Sequence, residues 1–317
     1  MKIISWNVNG IRSNILDNKT SKFKGIRKLE KQSALARIID LYNPDIICFQ
    51  ETRLGEDLYN LFESESIKSF FPYQYWSSSK GEKSRSGNRY SGTSIWSKYK
   101  ADSVLFDAPN LNDTEGRFIQ LNFSNFILIT TYTPNTGSNW DYRLNIWEPT
   151  IKKYLFDLSK GIKPIIYCGD NNIANKNDVW FGDLLEYKHD ICQNDIEKKK
   201  ILSKIKSKKK LHTGEIILAG YSLQERDAFS QLLEKCELID TYRYINPKVI
   251  DRFSWFNIRI KNSFKNNLGW LIDRFLIQKK FKNKIKDCKI LYEIGIRNES
   301  GIFISDHLPI LLELKKF

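Results

Sequence analysis

Histidine is scarce. The 317 residues hold three, His189, His212 and His307, so a multi-histidine zinc centre is not expected. Cysteine is scarce too: Cys48, Cys168, Cys192, Cys236 and Cys288 make five, an odd number with no CxxC pair. That pattern carries neither a disulfide framework nor a zinc site. It suits a reducing, intracellular compartment, nucleus or cytoplasm. Cys48 and Cys168 fall inside apolar runs, where a thiol packs as a small hydrophobe. No apolar stretch is long enough to span a bilayer, and Met1 leads directly into a strand, so neither a membrane partner nor a leader segment is expected. A fixed-period repeat and a linker are also missing, so 1–317 reads as one domain that acts as a monomer.

Positive charge is abundant. Lys and Arg number 51 against 37 Asp and Glu, a net charge of +14. Such a surplus favours a polyanionic partner, although a merely lysine-rich, solvated surface would give the same count.

The hydrophobic pattern alternates between strands and helices without the regularity of a doubly wound sheet. Residues 2–6, 45–49, 118–123, 126–132, 165–168, 252–260, 268–277 and 308–312 read as strands. Helices are expected over 27–42, over a stretch striped by Trp140, Leu144, Trp147, Ile151 and Leu155, and over 222–238, where Ser222 and Glu225 have capping-box spacing. Mixed sheets follow from this order.

The strands share one design: an apolar run ends abruptly in polar residues. Ile165–Cys168 runs into Gly169, Asp170, Asn171 and Asn172. The same happens at Asn7 and Asn9, at Glu51, at Tyr132 and Asn135, and at Asp306 and His307. Asp273 sits within an apolar run, where a lone charge would be costly without a partner. One such end is an ordinary turn; the repetition points to strand ends meeting in one cleft. Carboxylates with amides suit a hard cation, Mg²⁺ with Mn²⁺ as the alternative. One metal, one histidine beside an aspartate and several amides suit phosphodiester hydrolysis.

In these residues the chain resembles the exonuclease III-type apurinic/apyrimidinic (AP) endonucleases of the DNase I-like endonuclease/exonuclease/phosphatase superfamily. The resemblance is carried by Trp6–Arg12, Gln50–Arg53, Tyr90–Gly92, Tyr132–Asn135, Gly169–Ala174, Gln224–Arg226, Phe253–Phe256, Gly269–Asp273 and Ser305–His307, in the family's order. It implies an α/β four-layer sandwich of two mixed sheets flanked by helices, with the cleft at one end. It implies Glu51 as principal metal ligand, with Asn7, Asn9 and Asp306 near the metal or its water. Asp170, assisted by Asn172, would position or deprotonate the attacking water; His307, oriented by Asp273, and Tyr132 would contact the phosphate. Asn135, Trp255, Phe256, Trp270 and Ile272 would contact substrate, the aromatics forming a pocket for a base-less sugar. The partner implied is duplex DNA with abasic sites, cut on the 5′ side to leave a 3′-hydroxyl, with 3′-end cleaning besides.

The chain departs from the family at Leu271, where a basic residue is usual, and at Arg274, where an apolar or aromatic one is usual. Arg89 and Ser138 are further departures. A lysine-rich insert at 194–213 has no family counterpart and reads as an exposed loop or marginal helix, either solvated or reaching DNA beyond the cleft. Two other functions share many of the motifs: a phosphodiesterase for RNA, general 3′ ends or small phosphoesters, and a catalytically silent DNA-binding scaffold.

Overall fold

The strand Lys2–Asn7 (β1) sends Ile3 to one face and Ile4 to the other, and both are fully buried. A strand covered on both faces must lie inside a layered structure. The computed structural model describes residues 1–12, 33–63, 65–80, 90–180, 208–210, 216–298 and 301–316. Further strands follow at Ile46–Gln50 (β2), Tyr73–Ser77 (β3), Thr93–Ser97 (β4), Ser103–Leu105 (β5), Phe118–Asn122 (β6), Ile127–Tyr132 (β7) and Ile165–Asp170 (β8). Lys208–Lys210 (β9), Ile216–Leu218 (β10), Leu238–Asp240 (β11), Trp255–Phe256 (β12), Gly269–Trp270 (β13), Asp273–Gln278 (β14), Ile285–Ile290 (β15) and Ile310–Leu314 (β16) complete the set.

Two six-stranded sheets form, in the orders β15-β16-β1-β2-β4-β3 and β11-β14-β8-β7-β6-β5. Each has a parallel pair at its centre, β1 with β2 and β7 with β8, and antiparallel neighbours. Between the sheets pack Ile3, Cys48 and Ile95 from the first, and Leu128, Cys168 and Phe275 from the second. The opposite face of the first sheet, with Ile4 and Phe49, is covered by Leu35 and Ile38 of the helix Ala34–Tyr42. The opposite face of the second, with Ile129 and Tyr167, is covered by Ile151 and Leu155 and by Phe229 and Leu232. Helix, sheet, sheet and helix make the four-layer α/β sandwich.

The helices begin where their caps allow. Ser33 accepts a hydrogen bond from the Ala36 amide, and Asn43 ends the helix in the left-handed region; the expected part at 27–32 lies outside the described residues. Ser222 and Glu225 form the expected capping box, but the helix stops at Lys235 and Leu238 opens a strand instead. Of the expected stripe, Trp147, Ile151 and Leu155 are buried, while Trp140 and Leu144 are half-buried around a π turn at Arg143–Trp147. Among the described residues no helix is long and apolar enough to cross a membrane.

Two expected strands are shorter. Over 252–260 only β12 is a strand, because the asparagine-rich stretch after it turns, with Asn262 and Asn267 at positive φ. The run 268–277 breaks at Leu271, whose amide donates to the Asp178 carbonyl rather than to a sheet neighbour. Most of the 194–213 insert lies outside the described residues. Its Lys208–Lys210 is neither loop nor helix but a strand paired antiparallel with Ile216–Leu218. Arg89 and the Ser138 side chain also fall outside.

Candidate active site

Strand direction sets the site. β1, β2, β7 and β8 all end at one edge, and β14 begins there with Asp273 opposite Asp170. Gly169 makes the last step of β8 with φ +135°, and a Cβ there would lie 1.9 Å from the Thr131 carbonyl oxygen, so only glycine lets β8 close on β7.

Asn7, fully buried, donates its amide to Glu51 Oε1 (3.0 Å) and to Asp170 Oδ2 (2.9 Å), and its Oδ1 accepts from the Asn9 amide (3.0 Å). It therefore sits behind the two carboxylates and spaces them, next to Glu51, the expected principal metal ligand. Glu51 also accepts from Arg53 Nε (3.1 Å). Asn9 donates to Asp306 Oδ1 (2.7 Å), whose Oδ2 accepts from Trp255 Nε1 (3.1 Å). Asn9, Glu51, Arg53 and Asn172 all have positive φ, a cluster of disfavoured backbone that only a well-packed surround holds.

His307 Nδ1 lies 2.8 Å from Asp273 Oδ2, and its Nε2 lies 3.8 Å from Asp170 Oδ2. Asp273 Oδ2 accepts in addition from Ser254 Oγ (2.6 Å). Asp170 Oδ1 accepts from the Asn172 amide (2.8 Å), while Asn172 donates to the Thr133 carbonyl (2.8 Å) and accepts from Asn135 (3.2 Å). Behind this loop the buried Arg143 donates to the carbonyls of Pro134, Asn171 and Asn172. The Arg117 guanidinium lies 4.5 Å from the centre of the Tyr132 ring.

These contacts set the charges. Burial, then the Asp273 carboxylate, push Asp170 up to about 7. Burial disfavours a charged His307, but Asp273, by charge and hydrogen bond, and then Asp170 push it up to about 10. Asp273 thus favours the cationic form of His307. Burial also works against Glu51, yet Arg53, Asn7 and His307 together hold it below the ordinary glutamate value. Burial and the Glu51 charge push the Tyr132 phenol well up, so it stays a hydrogen-bond donor.

A cleft of about 450 Å³ opens over these groups. Glu51, Tyr132, Asp170 and His307 line its polar side; Trp180, Trp255, Trp270 and Ile272 line its apolar side. Asn9, Asn135, Asn172 and Asp306 also reach it. Trp255 and Trp270 meet edge to face, with ring centres 5.8 Å apart. The two sides are joined by the bridge between Trp255 and His307. Asp273 lies just beneath, out of the cleft. Phe256 is a correction: it is fully buried, against Phe264. Neighbours on a strand point oppositely, so if Trp255 faces the cleft, Phe256 faces the core. Sequence reasoning missed Arg53 and Ser254, which stand in quoted motifs without a role, and Trp180, which belongs to no charge cluster or stripe.

Among the described residues, Glu51, Asp170 and His307 offer donor atoms within 4.8 Å of one another. His307 Nδ1 is taken up by Asp273, which leaves only Nε2 toward the cleft. The carboxylate oxygens of Glu51 and Asp170 in this group, with Asp306 and Asn9 lining the same cleft, fit a hard divalent cation.

The family model for Endonuclease/Exonuclease/phosphatase matches residues 4–307. The chain is 30% identical over 316 residues to an exodeoxyribonuclease of Bacillus subtilis, covering 98% of each. It is 29% identical over 315 residues to a DNA-(apurinic or apyrimidinic site) endonuclease of Dictyostelium discoideum, covering 98% of this chain and 69% of that one. Two solved structures share the fold over the whole of both chains. They are a 3′ phosphatase from Neisseria bound to a product DNA hairpin (TM-score 0.71, 22% identity) and an AP endonuclease from Archaeoglobus fulgidus (TM-score 0.67, 21% identity). A match that runs from the first strand to the histidine of the cleft takes in every strand end described above, and the chain belongs to the endonuclease/exonuclease/phosphatase family, on its exonuclease III-type branch.

Proposed function

We propose that the chain is a DNA-repair nuclease that hydrolyses the phosphodiester 5′ to an abasic site in duplex DNA, leaving a 3′-hydroxyl, and that also clears blocked 3′ ends. The observation that carries this reading is the joining of a hydrolytic carboxylate–histidine cluster to a tryptophan-walled pocket in one cleft. An extruded sugar without a base can enter an apolar pocket beside the phosphate to be cut, and a nucleotide that keeps its base is excluded by size. Similarity to the Bacillus exodeoxyribonuclease and the Dictyostelium endonuclease supports DNA as the substrate.

Glu51, with Asp306 and Asn9 lining the same cleft, would hold a divalent cation, Mg²⁺ or Mn²⁺, which when bound neutralises charge on the phosphoryl oxygens. Asp170, raised toward neutrality, orients the attacking water and takes its proton, with Asn172 fixing its carboxylate. His307, cationic and held by Asp273, donates to the phosphate as charge grows on it. Tyr132 donates to the phosphate or the leaving oxygen. Asn7 spaces Glu51 and Asp170. Single-turnover incision of an abasic duplex, an intact duplex and a 3′-phosphate nick, each with and without EDTA, tests the reading. Cleavage of the abasic duplex at full rate in chelator, or no preference for it over the intact duplex, would overturn it.

A further inference from the structure

Arg274 is the departure from the family pattern that the catalytic chemistry leaves unexplained. It follows Asp273 on β14 and is 1% exposed. Its Nη2 donates to Asp178 Oδ2 (2.6 Å), to the Leu271 carbonyl (3.0 Å) and to the Ile173 carbonyl (3.3 Å), and its Nη1 pairs with Asp240. Asp178 is bound also by Arg243, Nε to Oδ1 at 2.9 Å. Two guanidiniums and two carboxylates thus balance, which is what lets Arg274 and Asp178 stay buried.

The partners of Arg274 belong to the two segments that build the apolar side of the cleft. One runs from Ile173 through Asp178 to Trp180, the other from Gly269 to Ile272. They are stitched together directly: the Leu271 amide donates to the Asp178 carbonyl (2.7 Å), the Trp180 amide to the Gly269 carbonyl (3.1 Å), and Val179 bridges Trp270. Arg274 binds both segments from below and ties them to Asp240 at the end of β11. A planar fork can satisfy a carboxylate on each side and carbonyls between them; a lysine ammonium, a single point on a flexible stem, cannot.

We propose that Arg274 is a positioning residue for substrate selection: it holds the 173–180 and 269–272 segments at one separation, so that Trp180, Trp270 and Ile272 form a wall that admits a sugar without a base and rejects a nucleotide with one. The proposal rests on the reading of function above. A residue that only stabilised the fold would lower every activity alike; a clamp under one wall shifts the choice between substrates.

The test uses the full chain. Arg274→Lys keeps the charge and loses the fork. Asp240→Asn releases one anchor while its side chain can still cap the helix that follows, and it decides the matter if Arg274→Lys does not fold. Single-turnover rates on a duplex with a tetrahydrofuran abasic analogue, on the intact duplex and on a 3′-phosphate nick are compared. The abasic-to-intact ratio should fall about tenfold in Arg274→Lys and less in Asp240→Asn, the scale on which pockets discriminate by shape. 3′-Phosphate removal should stay within about twofold. Folded variants with an unchanged ratio would make Arg274 a structural brace and overturn the proposal. Hydrogen exchange supplies a readout independent of cleavage. The Leu271 and Trp180 amides should lose protection in both variants while those in β1 and β2 keep it, and unchanged protection overturns the clamp. If the wild-type chain cuts no abasic duplex, the reading of function fails and selectivity falls with it, whereas the exchange result still decides whether the clamp exists.

Discussion

The same strands end in opposite chemistry. At the cleft edge, Asn7, Glu51, Asp170 and Asp273 are buried or nearly so, and each contacts an amide, a guanidinium or a histidine. At the far edge, Lys2, Lys98, Lys163, Lys280 and Lys284 donate to backbone carbonyls of Tyr42, Asn43, Phe123, Gly161 and Lys316. A lysine on a carbonyl is held in place without being neutralised. The far edge therefore holds lysines fixed on carbonyls, with Asp45 and Glu313 near them, whereas the cleft holds acids fixed by amides, a guanidinium and a histidine. The net charge of +14 describes the molecule as a whole and says little about where the chemistry is.

The sharpest way to break this comparison is to remove the fixed groups of the cleft. Asp170→Asn and His307→Ala should each slow single-turnover cleavage by about 10²-fold or more, with DNA binding retained; near-normal turnover in either would remove that residue from the reaction. Next, Glu51→Gln should raise the Mg²⁺ concentration needed for half-maximal rate by about tenfold or more, read from a metal titration; an unchanged midpoint would place the cation elsewhere. Trp270→Ala should reduce the abasic-to-intact cleavage ratio by roughly tenfold and touch 3′-phosphate removal less, whereas an unchanged ratio would make Trp270 core. The smallest effect is expected at the far edge. Changing Lys98, Lys163 and Lys280 together to Ser should leave single-turnover cleavage of a short duplex at saturation within about twofold. A larger loss would mean that the two edges are not separate in function.

What could be read beforehand follows from this geometry. A buried strand that stops at polar residues is visible as a pattern, so Glu51, Asp170, Asn172, Asp306 and His307 could be placed together before any coordinates. The orientation of Asn7 could not, because an amide offers a donor and an acceptor and only the neighbours choose between them. Phe256 went wrong through the resemblance, although period-two alternation beside Trp255 already pointed it inward. β15 went unread, although Ile285, Cys288 and Ile290 are buried on it. A bulge between Ile285 and Asp287 shifts its register and hides the alternation. Arg274 read as a misplaced charge because its partners, Asp178 and Asp240, lie 96 and 34 residues away along the chain.

That separation along the chain has a consequence for the order of folding. The Trp6 indole donates to the His307 carbonyl across 301 residues, and Asn9 to Asp306 across 297. Contacts so distant in sequence form late, since closing the loop between them costs entropy before any contact repays it. A chain still on the ribosome with 180 residues made already holds Glu51 and Asp170, but lacks Asp273, Asp306 and His307. Its carboxylates have no imidazolium beside them, and β1 lacks its neighbour β16. The unfinished protein therefore carries an exposed strand edge and an incomplete cleft, which is completed only when the last strands dock.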